Sequence, residues 1–152
     1  WLDVPVLNFG FSGNGKLEPE LGALYAKLDP AVYVLDCLPN MTAAEVAKNT
    51  EPFVSILRKA RPTTPILFVE DRSYSDAFLI ESKRIRNETS RAAFKKAYDK
   101  LVASGVKNLH YLKGDGLLGE DNEGTVDTSH PTDLGFLRQA EAFREVLEPL
   151  LK

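Results

Sequence analysis

The chain has 152 residues, 43% hydrophobic and 27% charged, which excludes a fibre or a disordered tail and fits one domain. A chain of this size buries about 68–70% of its unfolded surface, so it supports a core. Its net charge of −3 and pI of about 5.5 give no electrostatic case for nucleic acid or an anionic membrane, and no apolar run approaches the roughly 18–20 residues that span a bilayer.

Trp1 is not a start methionine, and no charged-then-apolar signal segment follows it. The chain therefore reads as one that begins inside a larger protein. Val4–Phe9 is predicted as a first strand, followed by a glycine-rich turn over Gly10–Gly15. Leu17–Leu28 reads as a helix with Leu17, Leu21, Leu24 and Leu28 on one face. Ala31–Leu35 is a second strand, continuously apolar as in a sheet covered on both faces. Thr42-Ala43-Ala44-Glu45 is a capping box opening a helix. Thr50 and Pro52 are expected to restart that helix, with Phe53, Ile56, Leu57 and Ala60 as its buried stripe and Arg61-Pro62 as its end.

Pro65–Val69 is the third strand and Asp71–Phe78 a loop. Ser82–Ser104 is a charged helix with Phe94, Tyr98, Leu101 and Val102 facing in and Gly105 as its C-cap. Asn108–Leu112 is the fourth strand. A long loop runs from Gly114 to Ser129. Asp133 is expected to cap a last helix that buries Phe136, Leu137, Ala140, Phe143 and Leu147. Repeated strand–helix alternation predicts an α/β fold, a mostly parallel sheet with helices on both faces.

In open α/β sheets the ligand sits beyond the carboxyl ends of the strands, and three loops there hold unusual residues. Gly10-Phe11-Ser12-Gly13-Asn14-Gly15 has glycine spacing G-x-x-G-x-G, which is not the dinucleotide fingerprint, and it is not a nucleophile elbow. Such a loop either turns a backbone N–H toward a ligand oxygen or is a plain strand-to-helix turn. In Asp36-Cys37-Leu38-Pro39-Asn40, Pro39 fixes the chain entering Asn40, so its amide is a held oxyanion donor or simply starts the next helix. In Asp127-Thr128-Ser129-His130-Pro131, a four-residue turn brings its ends within about 7 Å, so Asp127 reaches the His130 imidazole. That pairing holds one tautomer and suits a general base; the plainer alternative is a solvated histidine in a helix-entering loop. His110 has no carboxylate three residues before it and is read as structural.

Together and in order, these three blocks resemble the SGNH, or GDSL-type, hydrolase family along essentially the whole chain. Ser12-Gly13 is similar to its glycine block, Pro39-Asn40 to its asparagine block, and Asp127-x-x-His130-Pro131 to its last and most specific block. The usual glycine-rich approach to the asparagine is here replaced by Asp36-Cys37-Leu38-Pro39. The resemblance implies a flavodoxin-like three-layer α/β/α fold and a serine esterase. It makes Gly13 and Asn40 oxyanion donors, His130 the general base and Asp127 its orienting carboxylate. It also implies a small-molecule ester substrate, with short acyl groups of carbohydrates as one class, and no cofactor.

The family's first block, a Gly-Asp-Ser-like segment with the nucleophile, has no counterpart here, because only Trp1–Ser12 precede Gly13. The first, central strand is thus expected to be absent from this chain and supplied by a preceding segment of the same protein or by another chain. Without it, Val4–Phe9 and Ala31–Leu35 would flank a vacant slot. Ser12 is the only candidate nucleophile within the chain, at a position that is not the family's nucleophile. A fragment that binds without turnover, and a flavodoxin-like signalling domain, are the competing readings; the glycine spacing does not fit the latter.

One cysteine, Cys37, excludes an internal disulfide, and two histidines with one cysteine argue against structural zinc. Glu120-Asp121-Asn122-Glu123 lacks the EF-hand spacing, so no metal site is assigned. Arg72, Tyr74 and Phe78 are expected either to contact substrate or to cover the sheet. The sequence is that of a soluble domain; it does not fix the compartment, with secretion and the periplasm both open.

Overall fold

The computed structural model describes residues 1–152. Helix α1 spans Pro19–Tyr25, strand β1 Tyr33–Leu35, α2 Ala43–Ala60, β2 Ile66–Val69, α3 Glu81–Ala103, β3 Leu109–Leu112 and α4 Asp133–Leu147. Short 3₁₀ turns occupy Leu38–Asn40 and Glu148–Leu150. The three strands form one parallel sheet in the order β1-β2-β3, with Tyr33 opposite Ile66 and Phe68 opposite Tyr111.

Strand β2 is buried at all four positions because both of its faces are covered. On one face Tyr33, Leu35, Ile66 and Phe68 join α2 through Phe53 and Leu57 and α3 through Phe94 and Leu101. The Phe68 ring lies 5.0 Å from Phe94 and edge-on to Tyr98 at 5.3 Å. On the other face Leu67, Val69 and Leu117 pack with Phe143, Val146 and Leu147 of α4. The architecture is therefore three-layer α/β/α around a sheet of three strands. No helix is long and apolar enough to cross a membrane.

The expected strand Val4–Phe9 does not form. These residues have no ladder partner, and Val6 and Leu7 are 80% and 65% exposed. A strand exists only by pairing, and β1, the edge strand on this side, pairs with β2 alone. Trp1–Val6 instead borders an open groove of about 940 Å³ together with Asp36 and the Phe136, Ala140 and Phe143 side of α4. The same vacancy corrects the reading of α4. Phe136 and Leu137 are exposed rather than buried, because only the second half of the helix lies over β2 and β3.

Other differences are local. Helix α1 starts at Pro19 and ends at Tyr25, leaving Leu24 exposed; Leu17, buried, precedes it in the left-handed region at φ 56°. The second strand is shorter than Ala31–Leu35. Helix α2 is continuous through Pro52 instead of restarting there. Pro52 is exposed, while Val46, Thr50, Phe53, Val54 and Leu57 make one buried stripe across both halves. Val102 is exposed, one residue off the buried face of α3. Thr132, not Asp133, caps α4: its hydroxyl accepts the Gly135 N–H at 3.1 Å. Gly135 packs so closely that an added Cβ would meet the Gly124 carbonyl at 2.1 Å, which docks α4 onto the long loop.

The capping box forms as expected. The Glu45 N–H donates to Thr42 Oγ1 at 3.3 Å, and the Glu45 carboxylate accepts the Thr42 N–H at 2.8 Å. Gly105, at φ 89°, closes α3 in a Schellman turn in which the Val106 N–H donates to the Leu101 carbonyl at 3.1 Å and the Gly105 N–H to Val102 at 3.0 Å.

The Thr42 backbone N–H, then Lys16 and the Thr42 hydroxyl, hold the Glu45 carboxyl down at about 2 against an ordinary 4.5. A depressed folded value stabilises above pH 4.5 and is lost as pH falls toward 2. Urea titrations should thus show Glu45→Gln losing less stability over that window than the parent chain. Thr42→Ala should cost about 1 kcal/mol at pH 7.

Candidate active site

Three loops meet the carboxyl edge of the sheet, and each is fixed by its own backbone chemistry. Asp127 accepts three N–H groups. Its Oδ1 takes the Ser129 N–H at 3.0 Å and the His130 N–H at 2.7 Å, and its Oδ2 takes His130 Nδ1 at 2.6 Å. The His130 backbone N–H, then its ring and the Ser129 N–H, hold the Asp127 carboxyl well below the usual carboxylate range. With Nδ1–H committed to Asp127, the neutral imidazole keeps its lone pair on Nε2, a tautomer assigned from this hydrogen bond. The His130 side chain is 72% exposed, and Nε2 has no partner in the chain. The predicted Asp127–His130 pairing is thus present.

Gly13 lies at φ 86°, a conformation only glycine adopts freely, and its N–H donates to no acceptor in the chain. Nothing lies within 4 Å of where its Cβ would be, so this loop faces open space. Asn40 ends the 3₁₀ turn begun at Leu38, and its N–H bonds the Cys37 carbonyl at 3.0 Å. Its side-chain Nδ2 donates to the Gly15 carbonyl at 3.3 Å, which ties the asparagine loop to the glycine loop. An amide nitrogen carries two hydrogens, so one remains to donate elsewhere. Ser12 makes no hydrogen bond with His130. Desolvation pushes the Cys37 thiol up to about 12, which keeps it protonated and unreactive.

Of the residues that join these loops, Arg86 and Asn87 carry no signal in the sequence, and Arg72 stands there only as a candidate substrate contact or sheet cover. Arg86 of α3 donates to the Pro39 carbonyl at 2.7 Å, next to Asn40. Its neighbour Asn87, buried, donates to the Asp71 carboxylate at 2.9 Å and the Arg72 carbonyl at 3.1 Å, and accepts the Tyr74 N–H at 3.1 Å. Arg72 then reaches the histidine loop: its Nε donates to the Ser129 carbonyl at 2.5 Å and its Nη2 to Ser129 Oγ at 3.0 Å. Burial pushes the Asp71 carboxyl up, opposed by Arg72, Arg91 and Arg86 and by the Asn87 amide. Arg72 thus binds the chain itself rather than merely covering the sheet, whereas Phe78 stands out in solvent. Asp121 is engaged by Arg138 at 2.6 and 2.7 Å. His110 sits half-buried in β3, where desolvation lowers its pKa.

The profile of the GDSL-like lipase/acylhydrolase family matches residues 1–148. Among solved structures, a protein of Bacteroides ovatus described as a GDSL-like lipase is similar over 95% of this chain, at 35% identity and a TM-score of 0.91. The salicylyl-acyltransferase SsfX3 of a tetracycline biosynthetic pathway is similar over 91% of the chain, with a TM-score of 0.73. At 22% identity that second likeness is one of fold. The chain spans 43% of the length of each of these two proteins. No curated protein matches it.

Asn87 satisfies a buried carboxylate and a backbone N–H at once. Asn87→Ala should therefore lower the unfolding free energy by about 1–3 kcal/mol in urea, the cost of leaving such groups unpaired.

Proposed function

Because the chain belongs to the GDSL-like lipase/acylhydrolase family, we propose that it carries the acid–base and oxyanion half of a serine ester hydrolase site. In this reading the nucleophile is a serine on a segment preceding Trp1, beside the unpaired edge of β1. The observation that carries the proposal is the Asp127–His130 pair, with Nδ1 engaged and Nε2 free at the sheet's carboxyl edge.

The serine oxygen attacks the ester carbonyl while His130 Nε2 takes its proton. Asp127, held ionised by three N–H donors, stabilises the imidazolium through Nδ1–H. The negative charge that develops on the carbonyl oxygen is met by the Gly13 N–H and the remaining N–H of the Asn40 amide. The imidazolium then gives its proton to the departing alcohol, leaving an acyl-serine. A water attacks that acyl group, again losing a proton to Nε2; the C–O bond to the serine breaks, the imidazolium returns that proton to the serine oxygen, and the acid leaves. The family resemblance carries short acyl groups of carbohydrates as one substrate class, and on that ground we propose acetyl esters of carbohydrates.

Turnover of para-nitrophenyl acetate by the protein extended through its upstream sequence tests this reading. His130→Ala should abolish turnover. Asn40→Ala should lower kcat by about 10²–10³-fold with little change in KM, as expected for a donor used mainly in the transition state. Acetylated sugars should be deacetylated, and long-chain esters should not. A folded extended protein without turnover would instead assign the chain to binding without catalysis.

A further inference from the structure

Thr128 lies between the two proposed catalytic residues at φ 74°. A β-branched residue in the left-handed region is a genuine outlier, and such conformations persist only where the surroundings enforce them. Besides the loop's own bonds, the Ser129 and His130 N–H groups to Asp127 and the Val126 N–H to the His130 carbonyl at 2.9 Å, the groups that hold it come from one segment, the stretch from the end of β2 into the first turns of α3. The Ser75 N–H donates to the Thr128 carbonyl at 3.0 Å. Lys83 Nζ donates to Thr128 Oγ1 at 2.8 Å and to the Asp76 carboxylate at 2.6 Å. Ser75 Oγ lies 3.3 Å from Thr125 Oγ1. Arg72, its side chain only 13% exposed, grips Ser129 through both its carbonyl and its hydroxyl. Asn87 in turn holds the backbone of residues 72 and 74 from α3.

We propose that Arg72 is a positioning residue for the Asp127–His130 pair. By clamping Ser129 it fixes the strained turn at Thr128, and that turn sets the distance and angle at which Asp127 meets His130 Nδ1. The inference rests on the reading of Asp127 and His130 as the acid–base pair, and it adds a residue that touches neither substrate nor reacting atom. The guanidinium suits the task because its planar fork makes two bonds to Ser129 at once; a lysine ammonium has the charge but not the fork.

Two measurements on the full-length protein decide it. The first is the imidazole ¹⁵N spectrum at alkaline pH, which distinguishes the Nδ1–H from the Nε2–H tautomer. The chain has two histidines, so His130→Ala assigns the signals. His130 should be the Nδ1–H form in the parent and a mixture in Arg72→Ala and Arg72→Lys. The second is turnover of para-nitrophenyl acetate. Arg72→Ala should lower kcat by about 10–100-fold with KM nearly unchanged, the scale of an ångström-sized misplacement, and Arg72→Lys should not restore it. Should Arg72→Ala fail to fold, Arg72→Lys carries both readouts. An unchanged tautomer with parental kcat in the Arg72 variants, alongside an inactive His130→Ala, would overturn the proposal and leave the catalytic pair standing. An active His130→Ala would overturn the catalytic reading instead, and the tautomer measurement would still decide whether Arg72 aligns the pair.

Discussion

The carboxylate of Asp127 accepts three N–H groups at one corner of the sheet, and the arrangement of the histidine loop follows from that convergence. Two of the donors are backbone groups of Ser129 and His130, so the turn closes on its own side chain; the third is the imidazole, so closing the turn also aims the ring. The same bonds keep Asp127 ionised, and an ionised partner is what an imidazole needs when it takes up a proton. In the proposed mechanism, local folding and proton transfer use one set of contacts. The cost is the left-handed Thr128, and the 72–83 segment offsets it from across the sheet edge.

The rest of the molecule holds this corner in place. Strand β2, buried on both faces, ends at Val69 and leads into Glu70, Asp71 and Arg72. From there Tyr111 and the Gly114 N–H engage the Glu70 carboxylate at 2.7 and 2.9 Å, and Arg91 donates to the Asp71 carbonyl at 2.6 and 2.9 Å. With Asn87 donating to the Asp71 carboxylate at 2.9 Å, both buried carboxylates at the strand end are hydrogen-bonded, as burial in a low-dielectric setting requires. Helix α3 serves two loops through neighbouring residues, Arg86 to Pro39 and Asn87 to the Arg72 segment. The opposite side, at the β1 edge, is built differently. There Trp1–Phe9 and the first half of α4 present apolar side chains with no sheet between them.

What was legible in the sequence is what short-range chemistry decides. The capping box at Thr42, the glycine closing α3 and the Asp127–His130 turn each depend on residues a few positions apart, and each forms; the three paired strands show in the sequence as short apolar runs, though their partners lie more than thirty positions away. Val4–Phe9 has the right side chains for a strand, yet a strand is a property of a pair, and no segment of this chain pairs with it. The apolar stripe of α4 shows which face is hydrophobic but not whether anything covers it, so Phe136, Leu137 and Ala140, expected inside, lie exposed. Pro52 misled for the opposite reason: its local rule is real, but a buried stripe running through it prevails. The Arg72 clamp joins residues 57 positions apart, a separation at which no spacing rule operates.

The account stands or falls on whether the imidazole, the Gly13 amide and the Asn40 carboxamide surround one small volume. A crystal structure of the full-length protein inactivated by an organophosphate measures this directly. The account predicts one phosphoryl oxygen within about 2.7–3.1 Å of both Gly13 N and Asn40 Nδ2, with His130 Nε2 beside the modified serine oxygen. A phosphoryl group seated elsewhere, or an imidazole turned to another side of the molecule, would contradict it.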